Sequence, residues 1–427
     1  MKSIRNNPWV WIQRLYSAES IPVAVVIFVA ILMFIQTGNS IAISSLLCGL
    51  LFLPWILMPF FRIKVRRSER LNFNIHLAEF LIFILFCTLA YILNFNNPDK
   101  TLVFISLMLM SAITAWHKLL AQMYYERKLY SQEQAYFSNL RTYVVQTTII
   151  LTYGVTIILV GLLQIFFGNI SKGWSMGCYL MGGCFFILSI INLFVKPSPD
   201  ISQPKTDKNV IETMKVQVKI IDRILEKKNW LFNLFTLFLL LLPQGLMFFT
   251  RVIYLYTPEH ANGLGCSIQE IGFAQGTIGV IAFTIGLFYG KKVRLTYGWD
   301  KTFLLMAIVL GLSPSVYCYM TFFPPQTMFE LCIATFISQI SFGFGLNVCN
   351  RFIEYFSGNR YKNTYDYLTI PVVALVIIIP IMISGYLLEM LDFKEFFIIN
   401  ALAAIPAIIM AVICKSTKKL LEKDEKQ

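Results

Sequence analysis

A chain of 427 residues that is 57% hydrophobic and only 14% charged is not composed like a water-soluble domain, in which about 25% of residues carry charge. Folding at this size still leaves roughly a quarter of the chain's area exposed, so a globule in water has no place to hide 37 Phe, 20 Tyr and 7 Trp. The net charge of +13 comes without basic–aromatic alternation outside the apolar runs, which argues against nucleic acid as a partner.

Apolar runs long enough to cross about 30 Å of hydrocarbon begin at roughly 15–36, 40–61, 72–94, 101–121, 142–167 and 174–195. They resume at roughly 230–254, 267–289, 301–323, 328–348, 366–388 and 395–414. The first run does not end in a small-residue cleavage site, so it is expected to stay as a helix. With the N-terminus placed in the cytoplasm, only Lys100, Lys172, Arg251 and Lys394 of the 36 Lys and Arg fall on the outer side. The loop 62–70 alone carries five, and the tail from Lys415 another five. Such a bias predicts both termini inside, and the excess positive charge then reports contact with the inner leaflet.

The longest hydrophilic stretch, 196–229, divides the runs six and six. Lys196-Pro197-Ser198-Pro199 cannot be helical throughout. Beyond it Val210, Met214, Val218, Ile221 and Leu225 recur at helical spacing among Lys215, Lys219, Arg223 and Lys227, the pattern of a helix lying on a membrane surface. The expected organisation is a six-helix bundle over 1–195, a cytoplasmic linker with an amphipathic helix over 196–229, a second six-helix bundle over 230–414, and a cytoplasmic tail over 415–427.

Ionisable side chains inside hydrocarbon cost several kcal/mol and are functional candidates by default. Glu19 stands in an otherwise apolar first helix, one turn before Pro22, and is expected to line a cavity. His76 and Glu79 share a face of the third helix, either as functional groups or as interfacial ones. His117 and Lys118, with Gln122 a turn later, end the fourth helix, and Arg141 opens the fifth. Lys118 and Arg141 gate the inner mouth, attract an anionic substrate, or simply snorkel to lipid phosphates. Gln244, Gln275, Gln339 and Asn347 offer hydrogen bonds to a solute or to neighbouring helices. Pro243-Gln244-Gly245 either breaks the seventh helix or only kinks it. Gly272, Gly276, Gly279 and Gly286 in the eighth helix, with Gly343 and Gly345 in the tenth, favour close helix contact. Nine Cys without a C-x-x-C pair read as small apolar residues, and three His leave no obvious metal site. No H-E-x-x-H or G-x-S-x-G motif suggests an enzyme, and no filter or charged ring suggests a channel.

Several motifs resemble those of one family. Asn7-Pro8-Trp9-Val10-Trp11-Ile12 and Leu15-Tyr16-Ser17-Ala18-Glu19-Ser20-Ile21-Pro22 open the likeness, and Leu53-Pro54-Trp55 and Ser131-Gln132-Glu133-Gln134-Ala135 extend it. Gly276-Thr277-Ile278-Gly279-Val280, Phe342-Gly343-Phe344-Gly345, Tyr355-Phe356-Ser357, Tyr361-Lys362 and Ile383-Ser384-Gly385-Tyr386 carry it through the second half. Together they resemble AmpG-like permeases, a branch of the major facilitator superfamily that includes muropeptide importers and relatives of the acetyl-CoA transporter. The resemblance implies an all-α membrane protein of about twelve helices in two six-helix bundles around a central cavity. It implies a monomeric inner-membrane transporter of a small sugar- or peptide-containing solute, working by alternating access without a cofactor and in many cases with protons. This chain departs from the family pattern at charged positions, with Met58, Arg66, Gln122, Gln146, Gln244, Ser338 and Tyr365 in place of ionisable or oppositely charged residues. Three outcomes stay open: facilitated diffusion of a neutral solute, coupling through Glu19 or Glu79 alone, or loss of transport in favour of a sensor or scaffold role. Tyr16 and nearby aromatics are expected to stack on solute rings.

Overall fold

The computed structural model describes residues 8–66, 70–194, 229–352 and 365–416. The expected linker and tail lie almost wholly outside the described residues. Among the latter every regular element is helical, and twelve helices are long and apolar enough to cross a membrane: α1 Trp11–Gln36, α2 Ile41–Met58, α3 Leu71–Leu93, α4 Lys100–Lys128, α5 Leu140–Phe167, α6 Ile170–Phe194, α7 Trp230–Tyr256, α8 Ile268–Trp299, α9 Lys301–Phe322, α10 Met328–Phe352, α11 Pro371–Met390 and α12 Phe393–Ile413. Large apolar side chains such as Phe73, Ile105, Leu162, Ile187, Ile379 and Ile409 stand exposed on these helices. In water that much exposed apolar surface invites association. In lipid it is the expected outer face, because hydrocarbon solvates it and the helices satisfy their own backbone groups. The protein is a multi-pass helical membrane protein.

Local chemistry sets the helix ends. The Asp99 carboxylate caps α4 by accepting from the amides of Thr101 (2.8 Å) and Leu102 (3.3 Å). Ser267 and Glu270 form a reciprocal capping box at the start of α8. Gly168, with φ of +58°, closes α5 in a left-handed turn that side chains disfavour. Inside α1, Pro22 has no amide to donate, and the chain just beyond it (Val25–Val29) runs as a π-helical turn.

The chain divides into two compact units, residues 1–39 with 50–222 and residues 40–49 with 223–427. In the first, α1 packs on α4, α5 and α6, and α3 packs between α4 and α6. This places the polar residues of α1, α3, α4, α5 and α6 in one bundle interior.

In the second unit α8 and α10 cross closely. Gly286 lies against the Ile340 carbonyl, and Gly343 against the Phe283 carbonyl. Backbones approach this far only where no Cβ intervenes. Residues 40–49 of α2 also belong to this unit, where Gly385 seats on Ile41 and Ser45, and the Glu389 carboxylate accepts the Ala42 amide at 2.8 Å. That places a negative charge at a helix N-terminus. Of the two readings of Pro243–Gly245, packing is the one found. α7 runs unbroken through Pro243, and Gly245 backs onto Pro380 and Ile377 of α11.

Candidate functional site

Three helices of the first unit deliver charges to one point. Glu19 of α1 is buried, and its Oε1 accepts from Lys118 Nζ of α4 at 2.6 Å and from Arg141 Nη2 of α5. Lys118 and Arg141 therefore turn inward to a carboxylate and do not snorkel; their side chains keep only 13% and 21% exposure. The arrangement follows from position, since α1 packs against both α4 and α5 and a lone carboxylate in hydrocarbon is tolerated only when paired.

Aromatic rings wall this triad. Arg141 stands over the Tyr16 ring at 5.7 Å and Lys118 over Trp55 at 5.9 Å. Tyr16 meets Tyr125 edge-on at 5.0 Å, and Tyr125 stacks on Trp11 at 6.1 Å. The Tyr16 hydroxyl donates to the Phe137 carbonyl at 3.3 Å. Four polar atoms in this group are buried with no hydrogen-bond partner: Glu19 Oε2, Tyr125 OH, Trp11 Nε1 and Trp55 Nε1. Such atoms are rare in proteins, because an unmet buried donor or acceptor costs about 1–3 kcal/mol. Four such atoms lie on residues grouped about one ionic centre. Gln122 lies buried on α4, one turn beyond Lys118.

A second ionisable cluster lies in the same unit. Glu79 of α3 is fully buried and accepts from Asn192 Nδ2 (2.7 Å) and Ser189 Oγ (3.2 Å) of α6. His76 Nδ1 is 3.3 Å from Oε2, and His117 Nε2 of α4 is 3.6 Å from Oε1. Glu79 is thus an interior group and not an interfacial one, and it is not part of the Glu19 triad.

The amides of the second unit are brought together differently. Gln275 Nε2 donates to Tyr317 OH at 2.6 Å, and Gln339 Nε2 reaches Gln275 Oε1 at 3.3 Å. Gln244 donates to the Leu310 carbonyl at 2.8 Å. Asn347 bonds the carbonyls of Leu287, Gly343 and Phe344. These bonds tie α7 to α9, α8 to α9 and α10, and α10 to α8, which is the helix-joining alternative for such residues. Sequence reasoning had not singled out Trp11, Trp55, Tyr125, Ser189 and Asn192 as site residues. Asn192, a polar residue in an apolar run, was the one with a visible signal.

No family model matches the chain. Among curated proteins it is similar to the anhydromuropeptide permease of Escherichia coli strain K12, 22% identical over 273 residues, or 63% of this chain and 52% of the relative. The permease of Escherichia coli O157:H7 matches to the same extent. The chain spans about half the length of the curated relatives it matches. Among solved structures, nucleoside transporter NupG superposes with a TM-score of 0.69 at 14% identity, over 95% of this chain and 98% of that one. A bacterial homolog of the human lysosomal transporter Spinster, inward-facing and occupied, gives 0.69 at 13% identity over 98% of both chains. The D-xylose–proton symporter gives 0.65 at 13% identity over 94% and 96%.

The chain has the major facilitator fold.

That fold accounts for the six-and-six spacing of the apolar runs, and the permease match agrees with the family resemblance read from the motifs. The curated relatives are permeases and the neighbours of this fold are transporters, so the comparisons do not point to an enzyme.

Proposed function

We propose that this protein is a membrane transporter that moves a small solute by alternating access, with Glu19, Lys118 and Arg141 as the ionic centre of its solute site. The observation that carries the reading is the buried triad with four unpartnered polar atoms around it. Two cations and one carboxylate sum to a net positive charge, which suits a solute bearing an anionic group. Tyr16, Tyr125, Trp11 and Trp55 supply flat faces for rings, as sugar- or peptide-containing solutes would need. The anhydromuropeptide permease likeness favours the same solute class. The amides Gln244, Gln275, Gln339 and Asn347 act mainly as ties between helices and line the path only secondarily.

The site of action is the inner membrane, with both termini cytoplasmic, an orientation that the Lys and Arg asymmetry supports. The protein works as a monomer, without cofactor, nucleic acid or metal. Uptake into proteoliposomes of an anhydromuropeptide, of cell-wall sugars and of nucleotide-linked metabolites, each with and without a pH gradient, tests the reading. Saturable uptake that Glu19→Gln abolishes supports it. A folded, reconstituted protein that takes up none of them overturns it and leaves the sensor or scaffold alternative.

A further inference from the structure

We infer that Arg251 and Asn400 form a carboxylate-binding site inside the second unit, fitted to a ligand whose carboxylate has a hydroxyl or an amide N–H beside it. The inference concerns binding and does not depend on transport. Arg251 of α7 is 7% exposed, and its Nε is buried without a hydrogen bond. Among the described residues it forms no ion pair, and its guanidinium lies 5.5 Å from the centre of the Phe248 ring. A buried arginine is normally paired, and an unmatched charge costs more still in a membrane span. Lys118 and Arg141 of the first unit show the usual solution, a shared carboxylate. In the second unit Glu270, Glu330 and Glu389 accept from backbone amides at helix ends instead.

A second unmet group lies at the same depth. Asn400 of α12 is fully buried, and neither Oδ1 nor Nδ2 has a hydrogen-bond partner. α7 and α12 run antiparallel. Leu237 and Leu241 near the start of α7 share a core with Ala407 and Ala411 near the end of α12, while Tyr254 near the end of α7 meets Phe397 near the start of α12 at 5.4 Å. Arg251 is three residues before Tyr254, and Asn400 three residues after Phe397. Each therefore shares a helix face with its aromatic neighbour, one turn further into the bundle. Tyr317 of α9 stacks on the same Phe397 at 5.6 Å and lies within electrostatic range of Arg251.

The two side chains ask for different things. A guanidinium is a planar fork of donors that matches the two oxygens of a carboxylate. A carboxamide needs both an acceptor for its N–H and a donor for its oxygen. A plain carboxylate satisfies Arg251 and leaves Asn400 Oδ1 bare. A carboxylate with a neighbouring hydroxyl or amide N–H, as in a 2-hydroxy acid or the end of a peptide, satisfies both. A cationic ligand would add to the unmatched charge, and an apolar one would meet neither group.

Thermal unfolding of the full chain in detergent tests this without transport, with sodium chloride replaced stepwise by sodium lactate or sodium propionate at constant ionic strength. A ligand that binds only the folded state raises the melting temperature. Lactate carries the neighbouring hydroxyl, and propionate is the same acid without it. In the wild type lactate is expected to give a saturable rise, with propionate needing at least about tenfold more because Asn400 Oδ1 stays unmet. Asn400→Leu brings the two acids to the same concentration. Arg251→Met abolishes both rises and melts at or above wild type in chloride alone, since it removes a charge that has no partner. No rise with lactate, equal action of the two acids on the wild type, a rise that survives Arg251→Met, or a lowered melting temperature of Arg251→Met in chloride overturns the inference. Absence of solute uptake with lactate acting as described defeats the transport reading alone.

Discussion

His117 and Lys118 are neighbours on α4, yet they serve two different buried carboxylates: His117 faces Glu79 on α3, and Lys118 bonds Glu19 on α1. Consecutive helical residues point about 100° apart, so one dipeptide at the centre of a bundle reaches both flanking helices. The α4 backbone is thereby a shared frame for two ionisable centres. A shift or rotation of α4 alters both together.

Glu19→Gln is expected to destabilise the protein and to reduce uptake at least tenfold. Removing one partner of a buried ion pair costs about 3–5 kcal/mol; the partial exposure of Lys118 and Arg141 lowers this to about 2 kcal/mol. Adding Lys118→Met to Glu19→Gln returns the group to its original net charge of +1. The double variant is therefore expected to be more stable than Glu19→Gln alone, a non-additivity that neighbouring charges should show. Thermal unfolding in detergent of the two singles and the double checks this. Strict additivity would mean that the three charges are not coupled.

The glycines of the α8–α10 crossing make a sharper stability prediction. A Cβ on Gly343 meets the Phe283 carbonyl, which is backbone and cannot rotate away, whereas a Cβ on Gly183 meets nothing within 4 Å. Gly343→Val is expected to lose about 1–3 kcal/mol or more through overpacking, and Gly183→Ala to stay within about 0.5 kcal/mol of wild type. Melting temperatures of the two variants decide it. Equal melting points would show that the crossing has room for a side chain at Gly343.

Some of this was legible in the residues and some was not. The twelve spans could be read from hydropathy alone, because a bilayer demands about twenty apolar residues per crossing. Glu19 could be singled out because a carboxylate is rare in such a run. Its partners could not be fixed, since Lys118 and Arg141 lie near helix ends where a long cation serves equally well at the lipid surface. Only the packing of α1 on α4 and α5 decides between these fates. The amides show the opposite limit. Gln244 and Gln275 have the same sequence character as a solute ligand, yet each donates to a neighbouring helix, at Leu310 and Tyr317. Nothing in a single sequence separates a bond to a helix from a bond to a solute.

Cys266 lies in the connection between α7 and α8, outside the membrane-spanning segments. Burial pushes its thiol up to about 12, and the nearby charges of Glu270 and Glu259 act in the same direction. The thiolate is the reactive form, so a raised value means less of it at neutral pH and more as pH rises. Labelling by a membrane-impermeant maleimide at pH 7 is expected to be ~100-fold or more slower at Cys266 than at an exposed thiol introduced by His260→Cys, given tenfold less thiolate per unit. The gap should close as pH is raised. Equal rates at pH 7 would show that the connection is open to solvent. Labelling of either thiol only from the cytoplasmic side would overturn the proposed topology.

Tyr125→Phe separates a solute contact from a structural one. The Tyr125 hydroxyl is buried and makes no hydrogen bond, while its ring packs on Tyr16 and Trp11. Phe keeps the ring and removes only the unmet hydroxyl. If the hydroxyl existed for the fold, its loss would be neutral at best and would leave uptake unchanged. If it waits for a solute, its removal relieves a burden of about 1–3 kcal/mol while weakening solute binding. The expected result is a melting temperature equal to or above wild type together with a several-fold rise in KM for uptake. That combination is the trade of stability for function expected at a binding site. A lowered melting temperature with an unchanged KM would assign the hydroxyl to the fold and move the solute site away from the aromatic wall.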